Sequence, residues 1–205
     1  PGFINITLDR ANQAELVRTI LTQRERYGFG LALQGISINL EFISANPTGP
    51  LHLGHTRWAA VGDSLGRVLA AAGAQVTREF YINDRGRQME LFGQSVMAAA
   101  LGKSVPEDGY QGDYINDLAR DVLTANPQIT TAEDFREAAY QIQLAQQQRV
   151  LQNFNTNFDV WFSERSLHES GAVEHGVDKL RAQGHIFEEA GAIWLRTTDF
   201  GDDKD

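Results

Sequence analysis

Residues 36–58 read ISINLEFISANPTGPLHLGHTRW. At the start of this stretch Ile36, Ile38, Leu40 and Phe42 alternate with Ser37, Asn39 and Glu41, a period of two that predicts a strand with one apolar and one polar face. A loop rich in Pro and Gly follows. Trp58, Val61, Leu65, Val68, Leu69 and Ala72 then recur at helical spacing until Gly73, which predicts a helix directly after the loop. Residues 75–84, QVTREFYIND, read as a second strand, and a second helix carries Met89, Phe92 and Val96 on one face. Two strands separated by a helix predict a βαβ unit with a parallel sheet, whose ligand crevice lies at the carboxyl ends of the strands.

Outward from this unit, residues 2–8 read as a short strand and residues 9–26 as a surface helix that YGFG interrupts. From Gly102 to Asp113 the text turns to Gly, Pro and acids, a boundary. Helices are expected at about 114–125 and 131–155, the second opened by Thr130 and Glu133 at capping-box spacing. The glutamines between 141 and 152 fit a solvated helix. FDVWFS at 158–163 reads as a strand returning to the sheet, residues 173–183 as a short helix, and residues 185–197 as a hairpin turning near Ala190 and Gly191.

The bulk numbers fit a soluble globular chain, with 42% hydrophobic and 22% charged residues. No apolar stretch reaches membrane-spanning length and no signal peptide is legible, so neither a membrane nor export is expected and the cytoplasm is the default. The absence of cysteine excludes disulfides and thiolate metal sites. The net charge of -9 is uneven: residues 1–102 hold nine Arg and eight acids, residues 103–205 nine bases and nineteen acids. A polyanion would be repelled by the second half, so such a contact is expected on the first. The chain begins without Met and stops in an acidic run after AIWLRTT. It is expected to be a piece of a longer protein.

His52 and His55 carry the functional question, because a loop that merely turns the chain has no use for paired imidazoles. A metal site needs further ligands, and none is offered at close spacing. Two readings remain open on the residues alone. The histidines are structural, or they join the N-terminus of the following helix in binding a phosphate, with Gly54 leaving room for a flat base.

PTGPLHLGH at 47–55 resembles the HIGH signature of class I aminoacyl-tRNA synthetases, with His52, Leu53, Gly54 and His55 in the four positions. The order EFISANPTGPLHLGHTR, YINDRGRQ, FDVWFSERSL and GAIWLRTTDFGDDKD resembles arginyl-tRNA synthetase across nearly the whole chain. The resemblance implies a Rossmann-like α/β catalytic domain with a parallel sheet, interrupted by a mainly helical insertion and truncated at both ends. The implied segments are 1–34 (end of an N-terminal domain and a linking helix), 35–102 (first part of the catalytic domain), 103–156 (helical insertion), 157–186 (return) and 187–205 (start of a second insertion).

The same resemblance implies ATP-dependent activation of L-arginine to an adenylate, then transfer to the 2′-OH of the terminal adenosine of tRNA(Arg), by a monomer. His52 and His55 would be catalytic. Gly49, Pro50, His52, Gly54 and His55 would bind ATP, and Glu41, Ser44, Asn46, His55, Asp84 and Gln88 would bind arginine. Mg²⁺ would travel on the ATP phosphates, with no protein-ligated metal. The lysine-bearing KMSKS loop of the class is not in the text, and the first lysine is Lys103. The 205-residue piece is therefore expected to be inactive alone.

Two other classes fit an HxGH loop: a nucleotidyltransferase such as a pantothenate-synthetase-like ligase, and a noncatalytic binding module. DFG at 199–201 does not indicate a kinase, since no glycine-rich loop or HRD accompanies it. Asp202, Asp203 and Asp205 read as a solvated turn.

Overall fold

A computed structural model describes residues 2–7 and 10–204. Strands β1 (Ser37–Glu41), β2 (Gln75–Ile82) and β3 (Val160–Ser163) form a parallel sheet in the order β1-β2-β3. Helix α1 (Arg10–Gln23) precedes it and ends in a 3-10 turn at Arg24–Arg26. Helix α2 (Leu53–Ala71) is the crossover from β1 to β2, so the βαβ unit stands as expected. Between β2 and β3 run α3 (Arg87–Ala100), α4 (Asp113–Ala125) and α5 (Ala132–Asn153). After β3 come α6 (Glu164–Glu169), α7 (Ala172–Ala182) and an antiparallel hairpin of β4 (Ile186–Glu189) and β5 (Ala192–Leu195). Ala190 and Gly191 both have positive φ, the backbone that a tight hairpin turn requires.

Residues 2–7 correct the expected first strand. They hold no strand, and Phe3, Ile4 and Ile6 are exposed, since alternation produces a strand only where a neighbour completes the ladder. Leu8, Asp9 and Asp205, which the expected strand, helix and acidic turn included, lie outside the described residues.

Aromatic pairs join the three strands on one face. Phe80 stands in register with Trp161 and stacks on it at 4.4 Å, while Phe158 packs on Phe42 at 4.5 Å and edge-on to Phe80 at 5.3 Å. The main core continues from Phe80 and Ile82 into Met89, Phe92 and Val96 of α3, Ile115, Leu118 and Val122 of α4, and Phe135, Ala139 and Leu151 of α5. The helices between β2 and β3 thus share one core with the sheet.

Helix α2 meets the sheet through small residues. Ala59, Gly62 and Gly66 are buried, while Trp58, Val61, Leu65 and Val68 are exposed. A Cβ at Gly62 would come within 2.2 Å of the Phe42 ring, so this glycine sets how closely helix and strand approach.

Helix α5 departs from the sequence reading twice. Its N-cap is Thr131 rather than Thr130: the Thr131 hydroxyl accepts from the Asp134 N–H at 3.1 Å. Gln143 and Gln147 are not solvated. Each is 1% exposed, because glutamines four apart share one helix face and that face turns inward. The short helix α6 was not expected.

Candidate functional site

The loop between β1 and α2 turns sharply at once. Ile43 and Ser44 have φ of 68° and 45°, a region that side chains other than Gly seldom enter and that a surrounding structure must enforce. Ser44 supplies the enforcement. Its hydroxyl donates to Glu41 Oε1 at 2.6 Å and accepts from the Tyr81 N–H of β2 at 3.1 Å. The turn thereby fixes the Glu41 carboxylate at the carboxyl end of the sheet.

Further along the loop, Asn46 Nδ2 donates to Gln88 Oε1 at 2.5 Å, which ties the loop to the first turn of α3. Gly49 and Pro50 complete the approach to α2.

His52 and His55 then form a reciprocal cap. His52 is the N-cap of α2, and its Nδ1 accepts from the Gly54 N–H at 3.1 Å; His55 Nδ1 accepts from the His52 N–H at 3.1 Å. A ring nitrogen that accepts carries no proton, so each neutral imidazole holds its proton on Nε2. Among the described residues neither Nε2 has a hydrogen-bond partner. The rings lie 3.9 Å apart at 34°. Burial, and then the neighbouring His52, hold the His55 pKa below the ordinary value, so His55 is a neutral donor at neutral pH. Gly54 has a local reason as well: a Cβ there would stand 2.9 Å from the His52 ring.

The arrangement suits an anion. The first turn of α2 contains no acid, so the positive end of the helix dipole meets two Nε2–H donors. His52 is exposed and His55 half-buried, neither inside the apolar core. A hollow of about 280 Å³, mainly apolar, opens beside His55 and Ala59 against Val150 and Leu151 of α5 and Phe154 directly after it. Among the described residues no group of three His, Asp or Glu side chains could hold a metal ion, and no helix is long and apolar enough to cross a membrane.

The polar face of the sheet is acidic. Glu41 stands in register with Glu79. The Tyr81 phenol is raised above its usual range by burial first, then by Glu164, Asp84 and Glu41. Sequence reasoning missed Tyr81 and Glu164. The signal for Tyr81 was present, since it alternates with Phe80 and Ile82; Glu164 follows β3 and only the parallel pairing of β3 with β2 brings it there.

Asp84 is buried at the end of this face. It is 3% exposed, and its carboxylate accepts from the Ser163 hydroxyl at 2.6 Å, the Arg165 N–H at 3.0 Å and the Tyr140 hydroxyl at 3.1 Å. It joins the ends of β2 and β3 to α5. The structure therefore brings Glu41 to Ser44, Asn46 to Gln88 and His52 to His55, and turns Asp84 inward.

Comparison with known proteins agrees with this architecture. Residues 16–159 match the family described as tRNA synthetases class I (R), catalytic domain. The chain is 56% identical to an arginine–tRNA ligase of Renibacterium salmoninarum and 52% identical to one of Paenarthrobacter aurescens, in each case over all of this chain and 38% of the relative. It thus spans well under half the length of these relatives. A solved structure from Campylobacter jejuni, assigned as an arginyl-tRNA synthetase, superposes with a TM-score of 0.84 at 32% identity over 96% of this chain and 45% of that one. The Thermus thermophilus arginyl-tRNA synthetase shares the fold, with a TM-score of 0.63 at 23% identity over 91% of this chain and 34% of that one. On the fold, the histidine-capped loop and the family match over residues 16–159, this chain belongs to the catalytic-domain family of the class I arginyl-tRNA synthetases.

Proposed function

We propose that in the full-length protein this chain activates L-arginine with ATP and passes it to tRNA(Arg). The observation that carries the reading is the reciprocal histidine cap, which leaves two Nε2–H donors at the positive end of α2. An arginine carboxylate oxygen attacks the α-phosphorus, the bond to the bridging oxygen breaks, and pyrophosphate leaves with the electron pair. Negative charge grows on the α-phosphoryl oxygens during the step, and fixed donors aimed at that charge lower the barrier. A neutral His55 suits the role because it donates without a proton-transfer step.

The nucleotide lies along Gly49, Pro50 and Gly54. Mg²⁺ carried on the phosphates would supply charge neutralisation there. The cationic substrate lies against the acidic polar face, with Glu41 set by Ser44 and with Asn46 and Gln88 at its edge. Asp84 acts one step removed, by holding the strand ends beneath that face.

The test is arginine-dependent ATP–pyrophosphate exchange by the full-length protein with tRNA present. His55→Ala should slow exchange on the order of a hundredfold, as loss of one such donor does, with a smaller effect on the arginine requirement. Glu41→Gln should raise the arginine requirement first. An unchanged rate in His55→Ala returns His55 to a purely structural role.

A further inference from the structure

The loop that leads to His52 contains Pro47 and Pro50, and it places carbonyls where water does not reach: Pro47 is fully buried and Thr48 is 6% exposed. Buried carbonyls need donors. These come from side chains distant in sequence. Gln147 of α5 donates from Nε2 to the Asn46 carbonyl at 3.1 Å and to the Gly49 carbonyl at 2.8 Å, and the Tyr114 hydroxyl of α4 donates to the Thr48 carbonyl at 3.1 Å. Gln147 is 1% exposed, so it has no competing water. Burial raises the Tyr114 phenol to about 12, and the hydroxyl remains a donor throughout the neutral range.

Three carbonyls of one short loop are therefore held by two side chains of the α4–α5 pair. The consequence passes along the chain. Two residues separate Gly49 from His52, and one of them is Pro50, whose φ is fixed by its ring. A shift of the Gly49 carbonyl would carry the N-cap, and with it both imidazoles, away from the position that the sheet sets. Displacements of about 1 Å at groups near reacting atoms cost on the order of a hundredfold in rate.

We propose that Gln147 and Tyr114 are positioning residues for the adenylate-forming site: the α4–α5 pair moulds the loop from Asn46 to Gly49 and so sets where His52 and His55 stand. The proposal rests on the function put forward above. Glu41 and Ser44 precede the held carbonyls and are anchored separately through Ser44 to Tyr81, and the Asn46 side chain is held by Gln88, so the effect falls first on the nucleotide half of the site.

The experiment uses the full-length protein with Gln147→Met, Tyr114→Phe and the double variant, followed by amide hydrogen exchange and by arginine-dependent pyrophosphate exchange. Tyr114→Phe removes a single hydroxyl and keeps the proposal testable if Gln147→Met folds poorly. Amides of residues 51–56 should exchange about tenfold faster in the double variant, as a loosened local segment does, while those of β1 and β2 stay as protected as before. The kcat should fall about tenfold or more, with the arginine KM within about twofold.

In a His55→Ala background the same substitutions should lose part of their effect on kcat, because the share that acts through His55 is no longer additive. Unaltered exchange at residues 51–56 would overturn the proposal. An equal fall in kcat in both backgrounds would do so too, since general destabilisation does not depend on His55. Faster loop exchange in a parent protein without arginine-dependent activity would leave the moulding intact and sink the function instead.

Discussion

His52 and His55 exchange hydrogen bonds in opposite directions: His55 Nδ1 takes the His52 N–H, and His52 Nδ1 takes the N–H of Gly54 beside it. A capping box ordinarily uses a hydroxyl and a carboxylate or amide. Two imidazoles achieve the same closure without adding negative charge to a helix end that would meet phosphate.

This cap has a pH dependence. The His55 pKa lies below its unfolded value of 6.5, so the unfolded chain binds the proton more readily than the fold. Its contribution to stability is complete above 6.5 and is lost as pH falls through the folded pKa. Urea unfolding of the wild type and His55→Gln between pH 5 and 8 should show a stability difference that shrinks in the wild type's disfavour as the solution is acidified. A difference constant across that range would refute the cap's titration.

Asp84→Asn should cost on the order of 2–3 kcal/mol, because an amide nitrogen would face donors where the carboxylate accepted from Ser163, Arg165 and Tyr140. Tyr140→Phe removes one of those bonds and should cost about 1 kcal/mol. Equilibrium denaturation ranks the two, and a fully stable Asp84→Asn would show that the junction tolerates a neutral group.

Gln143 is 1% exposed, and neither polar atom of its side chain has a hydrogen-bond partner. Gln143→Met should therefore be neutral or stabilising, since it removes an unmet polar group and keeps the volume. Thermal unfolding decides it. A clear loss of stability would mean that the amide is satisfied in solution.

Gly62 and Gly176 should respond oppositely to alanine. At Gly62 the new Cβ would meet the Phe42 ring at 2.2 Å, and overpacking of this kind costs about 1–3 kcal/mol. At Gly176, within α7, a Cβ meets nothing within 4 Å, so the gain in helix propensity should stabilise by up to about 1 kcal/mol. Denaturation curves of the pair test the sign, and matching shifts would refute the contrast.

Most of the catalytic frame was legible because its signals are local. Alternation from Ile36 to Phe42 and the spacing of Met89, Phe92 and Val96 both report contacts that a short stretch makes by itself. The inward face of α2 was not legible, because Ala59, Gly62 and Gly66 carry no hydrophobic signal and the large side chains at Trp58, Val61 and Leu65 face outward. Gln143 and Gln147 misled for a related reason. A polar side chain announces solvent unless its partners are known, and the partners of Gln147 are the carbonyls of Asn46 and Gly49. Ser44 was expected to bind arginine, but its bonds to Glu41 and Tyr81 were not legible, since only the pairing of β1 with β2 brings the Tyr81 N–H to its hydroxyl.

The grip of Gln147 on Asn46 spans 101 positions of chain, and that separation becomes an interval during synthesis. At about 5–20 residues per second, roughly 5–20 s pass between the polymerisation of Asn46 and that of Gln147. The loop with its two histidines is made first and waits for the side chain that shapes it. Until α5 follows, those carbonyls have only water as donor, and the nascent site acquires its final form from a segment of chain made later.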